Sequence, residues 1–198
     1  MARPRKFDEP QVIAAARDVF WRSGYADTSL DDLTAATGLG RGSLYGAFGD
    51  KRALFLRVLD EYCTDSAGHV AASLAGPEPA YPLLVAHIRG LAESVVADAG
   101  RRGCLLAKTT AELAGTDGEV DERVRRTFTE LHTALADCVA RAQREGDLEP
   151  SADPTALAGV LLAVLRGMEA MGKAGMCATV LRDTAEAAIT LLPLPTRH

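Results

Sequence analysis

The sequence predicts an all-α protein in two parts, a short three-helix unit at residues 1–52 and a larger helical domain at residues 53–198. Apolar residues recur at helical spacing along most of the chain, and no stretch alternates with a period of two over a convincing length. Glycine and proline residues fall between these periodic runs, where they break helices and favour turns. The pattern therefore predicts consecutive helices joined by short turns, with no sheet.

The first helix is predicted over residues 8–22, where apolar residues repeat at helical spacing up to a glycine at position 24. Residues 28–51 then have the pattern of a helix-turn-helix motif. Thr28 or Ser29 is placed to cap the second helix, whose first turn is acidic and which ends at Gly38. A third helix follows after a short turn and buries Leu44.

The third helix contains three glycines, each of which costs about 1 kcal/mol relative to alanine in a helix interior. Their missing side chains allow the backbone to approach another surface closely. Arg41, Ser43 and Tyr45 then remain to donate hydrogen bonds to phosphates and base edges. The alternative interpretation is a glycine-rich loop between two core helices. A nucleotide-binding loop is excluded, because neither of its glycine patterns occurs and no strand precedes the glycines.

The motif resembles the DNA-binding domain of TetR-type (TetR/AcrR) transcriptional regulators over roughly residues 8–60. The matching residues are Phe20, Gly24, Tyr25, Thr28, Ser29, Leu30, Leu33, Ala36, Gly38, Leu39, Gly42, Ser43, Leu44, Tyr45, Phe48 and Lys51. Gly46 departs from the family, which usually has a bulkier residue at that position. The predicted DNA contacts are Thr28, Ser29, Gly40, Arg41, Gly42, Ser43, Tyr45 and Lys51.

The resemblance implies a sequence-specific transcriptional regulator that binds an inverted-repeat operator in double-stranded DNA as a homodimer. It implies a ligand-responsive repressor in the cytoplasm. The charge distribution agrees, because residues 1–52 carry 8 Lys and Arg against 7 Asp and Glu, whereas the rest of the chain carries 14 against 20. DNA contact is therefore expected in the first part of the chain.

Beyond the motif, helical spacing predicts six further helices. They begin near residues 51, 83, 104, 118, 153 and 178 and end near residues 74, 100, 114, 146, 174 and 192. No stretch reaches the roughly 18 consecutive apolar residues of a membrane span, and no apolar run follows the N-terminus, so we expect a protein that is neither secreted nor embedded in a membrane.

A cavity between the C-terminal helices is the effector site that the resemblance implies. The predicted effector-binding residues are Tyr62, His87, Leu91, Lys108, Phe128, Leu131, His132, Leu135 and Met168. Their apolar members follow helical spacing, and the alternative is that they form plain core. The resemblance also implies dimerisation through the last two helices, with Gly159, Ala163, Arg166, Gly167, Ala170, Leu181 and Ala188 at the interface. The alternative is an interior helix of a monomer.

Enzyme chemistry is not expected, because the four histidines show no ligand spacing and no catalytic motif occurs. The four cysteines are 34 to 41 residues apart, which excludes metal knuckles, so no metal or cofactor is predicted. Cys104 follows two arginines at a predicted helix start, where positive charge favours a thiolate. A redox- or electrophile-sensing regulator acting through Cys104 is therefore an alternative, and a helical protein-binding scaffold is another.

Overall fold

The computed structural model describes residues 7–195, which form nine α-helices and no strand. The helices are α1 (Glu9–Ser23), α2 (Leu30–Thr37), α3 (Arg41–Phe48), α4 (Lys51–Leu74), α5 (Ala80–Ala97), α6 (Leu105–Leu113), α7 (Gly118–Glu145), α8 (Pro154–Lys173) and α9 (Ala178–Thr190). The all-α prediction is confirmed. The predicted helix ends agree within a few residues.

Two compact units divide the chain, and the first is built from two separate stretches of it. Unit 1 contains the described residues through Thr64 together with Leu105–Val124, and unit 2 contains Asp65–Cys104 and the described residues from Arg125 onward. Helices α4 and α7 therefore each contribute to both units. The sequence places its boundary after residue 52, so it does not anticipate that α6 belongs with the N-terminal helices.

Aromatic side chains form the centre of unit 1. Phe20 is completely buried, and its ring meets the edge of Phe55 with the centroids 5.0 Å apart. The ring of Tyr25 lies 4.9 Å from Phe55, centroid to centroid. Leu33 of α2 and Leu44 of α3 are also buried. These contacts hold the short, glycine-rich α3, which its own sequence would not stabilise.

Helix α6 supplies polar partners to the end of α1. Lys108 Nζ donates to the Arg22 carbonyl at 2.6 Å, and Glu112 Oε2 accepts from the Tyr25 backbone N–H at 2.7 Å. Gly24 lies between these contacts with a φ of +86°, and an added Cβ would collide with the Glu112 carboxylate. Glycine is required here for both its conformation and its size.

The turn between α6 and α7 is fixed to the start of α4 by ion pairs within unit 1. Arg52 donates from Nε and Nη2 to the two oxygens of Asp117, each at 2.8 Å. The hydrogen bonds from Arg52 lower the pKa of Asp117 to about 2. Arg123 makes a second two-pronged contact with Asp60, at 2.8 and 3.1 Å. Paired donors of this kind hold a defined orientation as well as a charge.

In unit 2, helix α5 packs against α8 and α9. The buried side chains of these three helices include Leu84, Ile88, Leu161, Leu165, Met168 and Leu181. Two exposed bidentate pairs, Arg89 with Glu186 and Arg182 with Glu93, join α5 to α9 along the edge of this packing.

Helix α8 resembles a membrane span in length and composition, although it contains no run of about 18 consecutive apolar residues. Among the described residues, it is long and apolar enough to cross a membrane by length and composition, with 20 residues and a mean hydropathy of 1.4. Its leucine, valine, alanine and methionine content raises the hydropathy without a continuous run of large apolar residues. A single such helix is weak support for a membrane span, because core helices of soluble proteins share these properties.

Candidate nucleic-acid interface and effector region

The helix-turn-helix is set by local hydrogen bonds at each helix end. Ser29 caps α2: its Oγ accepts from the Asp32 N–H at 3.1 Å, and Asp32 Oδ2 accepts from the Ser29 N–H at 2.9 Å. This is a reciprocal capping box. Gly38, at a φ of +68°, ends α2 in the left-handed conformation, and Gly40 is the N-cap of α3. The turn between α2 and α3 is therefore only three residues long.

Helix α3 presents an almost unobstructed outer face. Arg41, Ser43 and Tyr45 are exposed, and the Tyr45 side chain retains 44% of its accessible surface. No described atom outside the helix backbone lies within 4 Å of a Cβ added at Gly42 or Gly46. The predicted contacts Gly40, Arg41, Gly42, Ser43 and Tyr45 thus share one short, accessible segment.

Arg41 has an acidic partner that local sequence patterns do not indicate. Its Nη2 donates to Asp31 Oδ1 at 2.6 Å, and the two side chains are 63% and 76% exposed, respectively. Asp31 lies in the first turn of α2. The pair therefore joins the N-terminal ends of both helices of the motif on their solvent side.

Lys51, at the start of α4, packs against the aromatic core of unit 1. Its Nζ lies 4.6 Å from the centre of the Tyr25 ring and donates to the Ala26 carbonyl at 3.3 Å. An ammonium over an aromatic face is attracted by the negative face of the ring. These contacts hold the charge near the loop before α2, and the residue is only partly exposed.

Thr28 and Ser29 have mainly local roles. Thr28 is buried, and its hydroxyl donates to the Gly24 carbonyl at 2.5 Å. Ser29 is exposed, but its side chain serves the capping box. For Thr28 the structure does not show the exposed hydroxyl that a direct DNA contact requires. Its hydrogen bond instead fixes the loop that leads into α2.

Two families match the chain in separate segments. The family described as "Bacterial regulatory proteins, tetR family" matches residues 12–58. The family described as "Tetracyclin repressor-like, C-terminal domain" matches residues 81–188. The second match spans more than half of the chain.

The chain belongs to the TetR family.

Its relatives include transcriptional repressors. The HTH-type transcriptional repressor ComR of Escherichia coli (strain K12) is 27% identical over 96% of this chain and 91% of its own length. BdcR, another HTH-type transcriptional repressor of that strain, is 30% identical over 70% of this chain and 69% of its own. A cysteine mutant of the TetR family regulator CifR, complexed with 26-bp double-strand operator DNA, has a TM-score of 0.84 at 29% identity, covering 97% of this chain and 100% of that one.

The family assignment confirms the principal functional prediction. The chain is a DNA-binding transcriptional regulator, and the TetR family consists of regulators rather than enzymes. Members act as dimers, bind small-molecule effectors and are soluble proteins. The family thereby excludes a protein-binding scaffold as the main function.

The predicted effector residues of this TetR-family chain fall in both units. Tyr62 and Lys108 belong to unit 1: the Tyr62 hydroxyl accepts from the Leu105 N–H at 3.3 Å, and Lys108 binds carbonyls at the end of α1. The remaining seven lie in unit 2. Leu131, Leu135 and Met168 are fully buried there, as core side chains are, whereas Leu91, Phe128 and His132 are partly exposed.

A polar cluster lies within the helices of unit 2. Arg166 Nη1 lies 2.8 Å from Glu169 Oε2 and donates to Cys104 Sγ at 3.3 Å. Burial raises the pKa of Glu169, and the hydrogen bond from Cys104 and the charge of Arg166 oppose that rise. The Arg166 Nε atom is buried with no hydrogen-bond partner. Sequence patterns did not indicate that Cys104 meets Arg166 and Glu169, because Cys104 and Arg166 are 62 positions apart.

His87 of α5 is a neutral histidine near this cluster. Its Nδ1 is 3.0 Å from Ser73 Oγ, which itself donates to the Val70 carbonyl, so Nδ1 carries the hydrogen and Nε2 is left as an acceptor. Burial, followed by the positive charges of Arg166 and His69, lowers the pKa of His87 to about 4.

The lowered pKa makes the stability of unit 2 sensitive to acid. The unfolded chain binds a proton at His87 near pH 6.5, whereas the folded chain binds it only near pH 4. The free energy of unfolding therefore decreases as the pH falls from 6.5 to 4, because only the unfolded chain gains the proton in that range. Between pH 7 and pH 5, we expect the free energy of unfolding of the His87→Gln variant to fall by about 2 kcal/mol less than that of the wild-type protein. Denaturant unfolding of both proteins at the two pH values measures the difference. An equal loss in both proteins would contradict the assignment.

An open groove of about 530 Å³ also lies in unit 2, between the end of α4 and the C-terminal half of α7. Its lining includes Leu74, Cys138, Asp137, Arg141 and Arg144. None of the nine predicted effector residues, all of which the structure describes, is among its lining residues. The groove is walled mainly by alanine, threonine and charged residues, so no apolar periodicity in the sequence pointed to it.

The predicted dimer residues separate into two groups. Ala163 and Ala170 are exposed, Gly159 and Gly167 are partly exposed, and Val160 beside them retains 61% of its accessible surface. These residues form an open face of small side chains on α8. In contrast, Leu181 and Ala188 are buried within unit 2, and Arg166 points toward Cys104. These three therefore do not extend the open face, because their side chains pack inside the subunit.

Proposed function

We propose that this chain represses transcription as a homodimer that binds an inverted-repeat operator through α3 and is released by a small effector. The observation that carries the DNA-binding part is the accessible α3 segment with Arg41, Ser43 and Tyr45 on its outer face. A protein that acts on DNA in this way works in the cytoplasm of a bacterium. Only a small number of side chains can contact bases in each half-site. Phosphate contacts and DNA shape therefore contribute a large share of the affinity.

The effector acts through linkage between two sites. A ligand that binds one arrangement of the helices more tightly than another shifts the population toward the arrangement that it prefers. It can weaken operator binding by no more than the difference between its affinities for the two arrangements. Unit 2 offers the polar cluster of Arg166, Glu169 and His87 as anchors for a polar ligand group. An unpaired guanidinium nitrogen and a neutral imidazole acceptor suit a ligand that carries both an acceptor and a donor.

Sensing through Cys104 stays a prediction. Arg166 Nη1 contacts the Cys104 sulfur at 3.3 Å, but the Cys104 side chain is buried. A buried thiol is protected from oxidants and electrophiles until the local structure opens.

Two substitutions test the assignment of α3. We expect Arg41→Ala to reduce operator affinity by about 1–3 kcal/mol and to relax the preference at one position of each half-site, because arginine reads a base edge. Lys51→Ala should weaken binding to all sequences and reduce the salt slope by about one, because it removes a phosphate contact. Binding of an operator selected from random DNA, titrated at several salt concentrations, measures both effects.

Arg144→Ala provides a matched control, because it removes an exposed positive charge from unit 2. It should leave operator affinity and the salt slope unchanged. If Arg41→Ala and Lys51→Ala behaved like this control, α3 would not be the recognition element.

A further inference from the structure

Asp31 is an acidic side chain on the face that we propose for DNA binding. Its carboxylate is 76% exposed and accepts from Arg41 Nη2 at 2.6 Å. An exposed ion pair of this kind contributes little to folding stability. Asp31 is also not needed as the cap of α2, because Ser29 and Asp32 form the capping box. Its place in the first turn favours the α2 N-terminus, but that effect does not require the pairing with Arg41.

A carboxylate at this position affects the affinity for generic DNA differently from the affinity for an operator. Generic affinity comes mainly from neutralising phosphates, and a negative charge next to the interface opposes it. On DNA without a matching base, Arg41 can keep Asp31 as its partner and neutralise no phosphate. If Arg41 turns to a phosphate instead, the carboxylate of Asp31 is left unpaired beside the negative backbone.

A matching base allows both contacts at once. A guanidinium has five N–H donors in a planar fork, and only Nη2 of Arg41 is engaged by Asp31. The remaining donors can make the two hydrogen bonds that a guanine edge accepts. Asp31 then fixes the orientation of the fork, which reduces the freedom that Arg41 would otherwise lose on binding.

We propose that Asp31 is a specificity-determining residue of DNA recognition, which orients Arg41 for one base and weakens binding to DNA that lacks that base. This inference rests on the proposed function, because it requires Arg41 to face DNA. Asp31 itself is a positioning residue that acts through Arg41.

Asp31→Asn tests the inference with little change of shape. For this variant we expect the affinity for an unrelated duplex to rise about 3- to 10-fold with a steeper salt slope, because one opposing charge is removed. Operator affinity should change by less than about 3-fold, so the ratio of specific to non-specific affinity falls. The base preference should relax at the single half-site position that Arg41 reads.

Asp27→Asn is the matched control, because it removes the same charge from an exposed position in the loop before α2. It should raise both affinities by the same factor and leave the base preference intact. Equal changes at operator and unrelated DNA in Asp31→Asn, with an intact base preference, would show a purely general charge effect and overturn the inference.

A double-mutant comparison separates this inference from the proposed function. In an Arg41→Ala background, Asp31→Asn should no longer alter the base preference, because the residue that it orients is gone. A preference that still changes in this background would show that Asp31 acts without Arg41 and overturn the inference alone. If Arg41→Ala by itself left operator affinity and base preference unchanged, the proposed recognition by α3 would fail, and the role of Asp31 with it.

Discussion

Inserting five base pairs at the centre of the selected operator should remove most of the specific affinity, a loss on the order of 10³-fold. A two-fold dimer presents two α3 helices at a fixed separation, which matches half-sites about one helical turn, or 34–36 Å, apart. Five added base pairs are about half of the helical repeat and rotate one half-site to the opposite face of the duplex. Binding by titration at constant salt measures the loss.

The control is an operator of the original length in which the same central base pairs are replaced rather than moved. Central positions that the protein does not touch affect binding only through the shape and deformability of the DNA, so a smaller loss is expected. Undiminished binding to the lengthened operator would mean that a single subunit, or two independent ones, binds DNA.

Gly167→Leu should dissociate the dimer and thereby abolish tight operator binding. Gly167 lies on the open face of α8, and no described atom outside the helix backbone lies within 4 Å of a Cβ added there. The subunit can therefore accommodate the leucine, and replacing glycine inside a helix favours the helix by about 1 kcal/mol. A leucine at this position would, however, prevent α8 of a second subunit from packing closely against it. Sedimentation over a range of concentrations measures the dimer dissociation constant.

Gly68→Leu provides the same exchange in another helix, at an exposed position of α4 that is also free of neighbours within 4 Å. This variant should remain dimeric and bind the operator normally. Circular dichroism should show full helicity for both variants. A fully dimeric Gly167→Leu protein with wild-type affinity between subunits would place the interface elsewhere.

Local patterns in the sequence were sufficient to predict the helix-turn-helix. The capping oxygen before α2 and the glycine after it act over three or four residues, so Ser29 and Gly38 could be interpreted without knowledge of the fold. At the start of α4 the Asp50 carboxylate accepts from the Ala53 N–H at 2.7 Å, a contact of equally short range. Apolar spacing then predicted which face of each helix is buried.

Contacts between distant positions could not be predicted in this way. Lys108 was predicted as a polar anchor in the effector cavity that the resemblance implies, yet it binds carbonyls 86 and 87 residues away at the end of α1. Arg166 was expected at the dimer surface, but its charge is directed inward to Glu169. Helical spacing predicts on which face of a helix a residue lies, whereas the partners of long side chains depend on the tertiary structure.

The partners that α6 gives to α1 limit how the DNA-binding head can be studied in isolation. A fragment that ends at residue 52, or even at residue 64, would contain the whole helix-turn-helix but lack Lys108 and Glu112. The Arg22 carbonyl and the Tyr25 N–H would then lose these side-chain partners, and α1 would lose its packing against α6. We therefore expect the head to be less stable when it is exchanged between regulators at a single junction. A functional chimaera would have to transplant α6 and the start of α7 along with it.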